Sequence, residues 1–133
     1  ITNKATDAAA TVDIFDEIGL WGVTVKDFAA GLKEIPGERD INVRINSPGG
    51  SVFDGFAIYN LLRARKDKVT CHVIGLAASM ASIIMLAGAR TVAAEGATII
   101  IHNPSAIAWG DSGEMREMAD LLDKLKGQLV AVY

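Results

Sequence analysis

The chain holds 133 residues, half of them apolar, with 13 lysines and arginines against 16 aspartates and glutamates and a formal net charge of −3. That length suits one core burying roughly two-thirds of the unfolded surface, and the acidic balance gives no cationic footprint for nucleic acid. No apolar run reaches the roughly 18 residues of a membrane span, and the one cysteine, Cys71, cannot make an intrachain disulfide and reads as a buried structural thiol in a reducing compartment.

Residues 1–10 lack a start methionine and any periodicity, so they read as an irregular lead-in to a fragment, and residues 11–133 read as one domain. From Thr11 to Ile18 apolar and polar residues alternate, with Val12, Ile14 and Ile18 on one side, which predicts a strand ended by Gly19. Thr24 is a good N-cap for a helix with the apolar stripe Val25, Phe28, Ala29 and Leu32, stopped by Pro36 and Gly37. Ile41, Val43 and Ile45 then alternate with polar neighbours as a second strand, ending in Ser47-Pro48-Gly49-Gly50. A helix is expected over about Asp54 to Arg65, with Phe56, Tyr59 or Asn60, and Leu62 on neighbouring turns and cations at its C-terminal end. Val69, Cys71 and Val73 make a third strand that Gly75 should break, and the run from Ser79 reads as a buried helix. Strands and helices in alternation imply right-handed crossovers and a largely parallel sheet covered by helices, an α/β fold.

Ser79, at a strand-to-helix turn flanked by Ala77 and Ala81, is the candidate nucleophile, because small residues let a sharp turn expose the hydroxyl. The other reading of a serine that begins a helix is an ordinary N-cap. In a parallel sheet ligands bind at the carboxyl ends of strands, where the Pro48-Gly49-Gly50 turn also falls, so Gly50 and Met80 could each aim an N–H at an oxyanion. A plain tight turn is the alternative there. His102, after the strand-like run Ala97 to Ile101, could move the Ser79 proton, or be structural. His72 lies mid-strand and has no such placement.

Together Ile45-Asn46-Ser47-Pro48-Gly49-Gly50, Gly75-Leu76-Ala77-Ala78-Ser79-Met80 and Ile101-His102-Asn103-Pro104 resemble, in order and separation, the Clp protease proteolytic subunit (ClpP) family of serine peptidases. Ile18-Gly19-Leu20-Trp21-Gly22 is similar to its phage and prophage branch, whose members are described as head maturation proteases. The resemblance implies a ClpP/crotonase-like fold of layered β-β-α and βαβ units with a long C-terminal handle helix. It also implies Ser79 as nucleophile, His102 as general base, Gly50 and Met80 as the oxyanion hole, and backbone pairing of an extended substrate with Gly49, Gly50, Ser51 and Val52 and with Ser105, Ala106 and Ile107. It implies a polypeptide substrate, no metal or organic cofactor, homo-oligomeric rings in the form of stacked heptamers, a Clp-type ATPase, and the cytoplasm of a bacterial or phage-infected cell. Crotonase-like acyl-CoA enzymes share the architecture and the paired N–H device, and an inactive ring or scaffold protein is the non-enzymatic alternative.

From Gly113 to Tyr133, Met115, Met118, Leu122, Leu125, Leu129 and Val132 recur at spacings of three and four, a stripe that wants a partner surface, either on its own domain or on another chain. Ser82, one turn beyond Ser79, should pack within its helix. No acid suited to orient His102 follows it: Asp111 falls in an expected mobile loop, Glu114, Glu117, Asp120 and Asp123 on the solvent side of the helix, Asp54 in a first helical turn, and Glu95 in a turn. In the resembled family the triad aspartate lies beyond the handle helix, so the domain is expected to be C-terminally incomplete.

Overall fold

The structure, a computed structural model, describes residues 8–133. It divides into two compact units, one ending at Ile101 and one running His102–Tyr133. The first is built on five strands, β1 (Ala10–Ile14), β2 (Ile41–Ser47), β3 (Val69–Ala78), β4 (Arg90–Ala93) and β5 (Thr98–Ile100), every pairing of which is parallel. Their order is β1-β2-β3-β4, and β5 follows β4 along the same edge of β3. Parallel neighbours need crossovers, and the helices α1 (Val25–Lys33), α2 (Val52–Arg63) and α3 (Met80–Ile84) lie in those connections.

Alternation sets the faces. Ala10, Val12 and Ile14, then Ile41, Val43 and Ile45, then Val69, Cys71 and Val73 are all buried, in adjacent register. With Phe28, Leu32, Ile58, Leu62, Ile83 and Ile84 they form the core, each large aliphatic side chain contributing about 1.5–3 kcal/mol on burial. The opposite face is polar: Asp13, Arg44 and His72 share one row. Both Asp13 oxygens accept from Arg44 at 2.7 Å, the guanidinium sits 5.0 Å from the Phe15 ring centroid, and His72 Nε2 lies 3.2 Å from Asn42 Oδ1.

Three local readings of the sequence are corrected. The first strand stops at Ile14, because Asp16 Oδ1 accepts the Glu17 N–H at 2.7 Å and turns the chain out of the ladder. Ile18 is nevertheless fully buried, bridging both Val23 and Gly50. Gly75 does not end the third strand, which runs on to Ala78. The register passes from Ile45↔Val73 to Ser47↔Ala77, so β3 carries extra residues here. Asn46 Oδ1 fills the gap in the ladder, accepting the Leu76 N–H at 3.0 Å where a Gly75 Cβ would lie 2.6 Å from it. The second helix starts at Val52, not Asp54, because Ser51 caps it by accepting the Asp54 N–H at 3.3 Å. Its buried residues are Gly55, Ile58 and Leu62, whereas Phe56 and Tyr59 are only half-buried. The expected Thr24 cap is present, at 3.1 Å from the Asp27 N–H. Arg65 closes the other end of α1, its guanidinium donating to the carbonyls of Leu32, Ile35 and Pro36.

The second unit holds α4 (Ser112–Val132). Asp111 is not in a mobile loop but is the N-cap of this helix. Its Oδ1 accepts the Glu114 N–H at 2.9 Å while Glu114 Oε2 accepts the Asp111 N–H at 2.8 Å, a capping box. Along the apolar stripe Leu125 and Leu129 are buried, Met118, Leu122 and Val132 half-buried, and Met115 is 49% exposed. No helix among the described residues is long and apolar enough to cross a membrane.

Candidate active site

Ser79 joins the last residue of β3 to the first of α3. Its φ of 54° and ψ of −125° make it the only non-glycine residue with positive φ among those described, a conformation costing about 1–3 kcal/mol that surrounding bonds must hold. They do so at both ends of the residue. The Ser79 N–H donates to the Ile100 carbonyl of β5 at 2.9 Å, and the Ser79 carbonyl accepts from the Ser82 N–H at 2.9 Å and from Ser82 Oγ at 2.5 Å. The Ser79 side chain makes no capping bond. An N-cap serine has extended φ and ψ and spends its oxygen on a helix N–H, so the capping alternative does not describe this residue. Ser82 is fully buried with its hydroxyl turned onto the backbone, as its place in the helix predicts.

The Gly49-Gly50 turn lies against Ser79. A Cβ built on Gly49 would stand 2.6 Å from the Ala78 carbonyl, 2.7 Å from Ser79 Cβ and 3.0 Å from the Met80 nitrogen, and its φ is +91°. Only glycine lets the two backbones meet this closely. Gly50, with φ +151°, is pinned from its other side by Ile18, whose N–H donates to the Gly49 carbonyl at 2.8 Å and whose carbonyl accepts the Ser51 N–H at 2.9 Å. Neither the Gly50 nor the Met80 N–H has an acceptor among the described residues. The Ser79 hydroxyl likewise has no partner among the described residues; acyl transfer needs such a hydroxyl together with N–H donors held in place before negative charge develops.

His102 opens the second unit and is exposed, with Nδ1 2.7 Å from the Asn103 carbonyl. A carbonyl can only accept, so this contact calls for a proton on Nδ1 and leaves the Nε2 lone pair to act as a base. In sequence His102 stands two residues beyond Ile100, the partner of the Ser79 N–H. Ser105, Ala106 and Ile107 are exposed, Ile107 to 88%. The Ser51 N–H goes to the Ile18 carbonyl and the Ser51 carbonyl accepts the Gly55 N–H, both at 2.9 Å. Val52 keeps the free N–H of a first helical position. Alternation gave no sign of the roles of Ile18 and Ile100, both of which act through main-chain atoms.

No carboxylate among the described residues is hydrogen-bonded to His102, and the Asp111 carboxylate is spent on its helix cap. Asn caps helices as well as Asp does. Asp111→Asn is therefore expected to leave both the melting temperature and the rate of peptide cleavage near those of the parent protein. A loss of activity of the order of 10⁴ would instead assign Asp111 as the acid that orients the histidine. Cys71 is no second nucleophile: burial pushes its thiol up to about 11, opposed in part by a backbone hydrogen bond from Gly88, and its Sγ lies 3.7 Å from the Ile84 carbonyl.

A parallel α/β sheet with a strained serine at one strand end, next to a Gly-Gly turn, has the layout in which α/β proteins place a ligand, at the carboxyl ends of strands. Residues 28–133 match the family described as Clp protease. ATP-dependent Clp protease proteolytic subunits from two strains of Bacteroides fragilis and from Bacteroides thetaiotaomicron are each 32% identical over 129 residues, covering 90% of this chain and 62%, 59% and 59% of theirs. The chain belongs to the Clp protease family, and it spans about three-fifths of the length of these curated relatives.

Proposed function

We propose that this chain is the catalytic part of a serine endopeptidase. Ser79 Oγ attacks the peptide carbonyl, His102 takes its proton and passes it to the leaving amine, and water then hydrolyses the acyl-enzyme. Gly50 and Met80 donate to the oxyanion, and an extended polypeptide pairs with backbone near Gly49, Gly50, Ser51 and Val52 and near Ser105, Ala106 and Ile107. The observation that carries this reading is the left-handed Ser79 with an unbonded hydroxyl against the Gly49-Gly50 turn. Cleavage of an unstructured fluorogenic peptide, blocked by a fluorophosphonate, tests it. Thioester hydrolysis or acyl-CoA turnover without peptide cleavage would favour the crotonase-like alternative, and no turnover of either would favour a scaffold.

The relatives' name, ATP-dependent Clp protease proteolytic subunit, supports a proteolytic subunit fed by a Clp-type ATPase; a ring of like chains, a cytoplasmic setting and unfolded or threaded substrates complete this reading. The Ile18-Gly19-Leu20-Trp21-Gly22 segment supports a role in phage or prophage capsid maturation. In this reading the stripe of α4 joins rings. Met115 is 49% exposed on that stripe, so Met115→Asp should disturb the single chain little while placing an unpaired carboxylate in an interface at a cost of several kcal/mol. Light scattering should then report a smaller assembly. An unchanged mass with a lowered melting temperature would make the stripe internal core.

A further inference from the structure

We infer that Ser47 is a positioning residue for the oxyanion turn, an inference that rests on the peptidase reading. Ser47 is the last residue of β2 and one of two fully buried polar side chains among the described residues, 1% exposed. Its hydroxyl donates to the Asp16 carbonyl at 2.7 Å and accepts the Gly49 N–H at 3.1 Å. One hydroxyl thus ties the segment after β1 to the turn that faces Ser79.

The consequence follows from counting the turn's donors. Pro48 has no N–H, the Gly49 N–H goes to Ser47, and the Ser51 N–H goes to Ile18, so only Gly50 has an N–H left to offer. The Gly49-Gly50 peptide, which carries that N–H, is held by Ser47 at the Gly49 nitrogen and by the Ile18 N–H at the Gly49 carbonyl. Without the Ser47 hydroxyl the buried Gly49 N–H must find another acceptor. The nearest rearrangement is a tilt of the Gly49 backbone, whose Cβ position is already 2.7 Å from Ser79 Cβ. Ser47 touches no substrate in this account; it acts by fixing the direction of the Gly50 N–H.

Losing a whole oxyanion donor costs about 10²–10³ in kcat, and misaiming one should cost a part of that. Ser47→Ala in the full protein is expected to lower kcat roughly ten- to a hundredfold with KM within about threefold. Affinity for a peptide aldehyde, to which Ser79 adds reversibly as a hemiacetal, should weaken by the same factor as kcat. Ser47→Cys fills the same space with a weaker hydrogen-bonding group and reports the same loss should the alanine variant not fold. Arg65→Met, which uncaps α1, serves as the control that loses melting temperature but keeps kcat and aldehyde affinity. Ser47 variants that behave like Arg65→Met, or like the parent, overturn the inference while leaving the peptidase reading intact. A parent protein that neither cleaves peptide nor reacts with fluorophosphonate overturns that reading, and this inference with it.

Discussion

Replacing Ser79 by alanine should reduce peptide hydrolysis by a factor on the order of 10⁶, to the residual rate that binding and oxyanion stabilisation alone sustain. The substitution removes an oxygen that makes no capping bond and has no hydrogen-bond partner among the described residues. The bonds that hold the residue at φ 54° all belong to its backbone, so circular dichroism and the melting temperature should barely change. Ser82→Ala provides the contrast: its hydroxyl donates to the Ser79 carbonyl, a bond that its own N–H also makes, and most activity should remain. A Ser79→Ala variant that still cleaves peptide at the parent rate would move the chemistry to another residue.

The second large effect is expected at Gly49. A methyl group there meets the Ala78 carbonyl at 2.6 Å, which is backbone and cannot swing aside, and it also requires an L residue at φ +91°. Relief demands that the turn back away from Ser79, taking the Gly50 N–H with it. Gly49→Ala should therefore lose about 10²–10³ in kcat and about 1–3 kcal/mol in stability. Gly96→Ala separates the two causes, since Gly96 has φ +77° with nothing within 4 Å of its Cβ position. It should show the stability loss and keep kcat. Equal kcat in the two variants would mean that the contact between Gly49 and Ser79 has no bearing on catalysis.

Much of this architecture was legible because the sheet shows water a polar face. Alternation is clean in Ala10–Ile14 and Ile41–Ser47, where buried aliphatics interleave with Thr11, Asp13, Asn42 and Arg44, and it gave these strands; the succession of strands and helices gave their parallel sense, and N-cap preference gave Thr24. It failed where a side chain substitutes for backbone. Asn46 completing the ladder beside Gly75 looks from sequence like a strand end, and the bond from Asp16 to the Glu17 N–H looks like continued strand. The strand β4 escaped notice because Arg90–Ala93 is short and mostly exposed, leaving no buried face to mark it. The positions of Ser79, Gly49, Gly50 and Met80 were legible from turn chemistry and motif order. The left-handed φ of Ser79 was not, because it is imposed by Ile100 and Ser82 rather than by anything local to a serine. Asp111 was misjudged for a related reason: the Gly110-Asp111-Ser112-Gly113 composition reads as loop, and only the reciprocal bond with Glu114 makes it a helix start.

The most direct measurement is the site of covalent labelling. The protein is treated with a fluorophosphonate, digested, and its serine-containing peptides are sequenced by mass spectrometry. One adduct per chain is expected, on Ser79, with Ser82 unmodified because its hydroxyl is fully buried and bonded to backbone. An adduct on Ser82 or Ser105 in place of Ser79, or a protein that cleaves peptide yet carries no serine adduct, would contradict it.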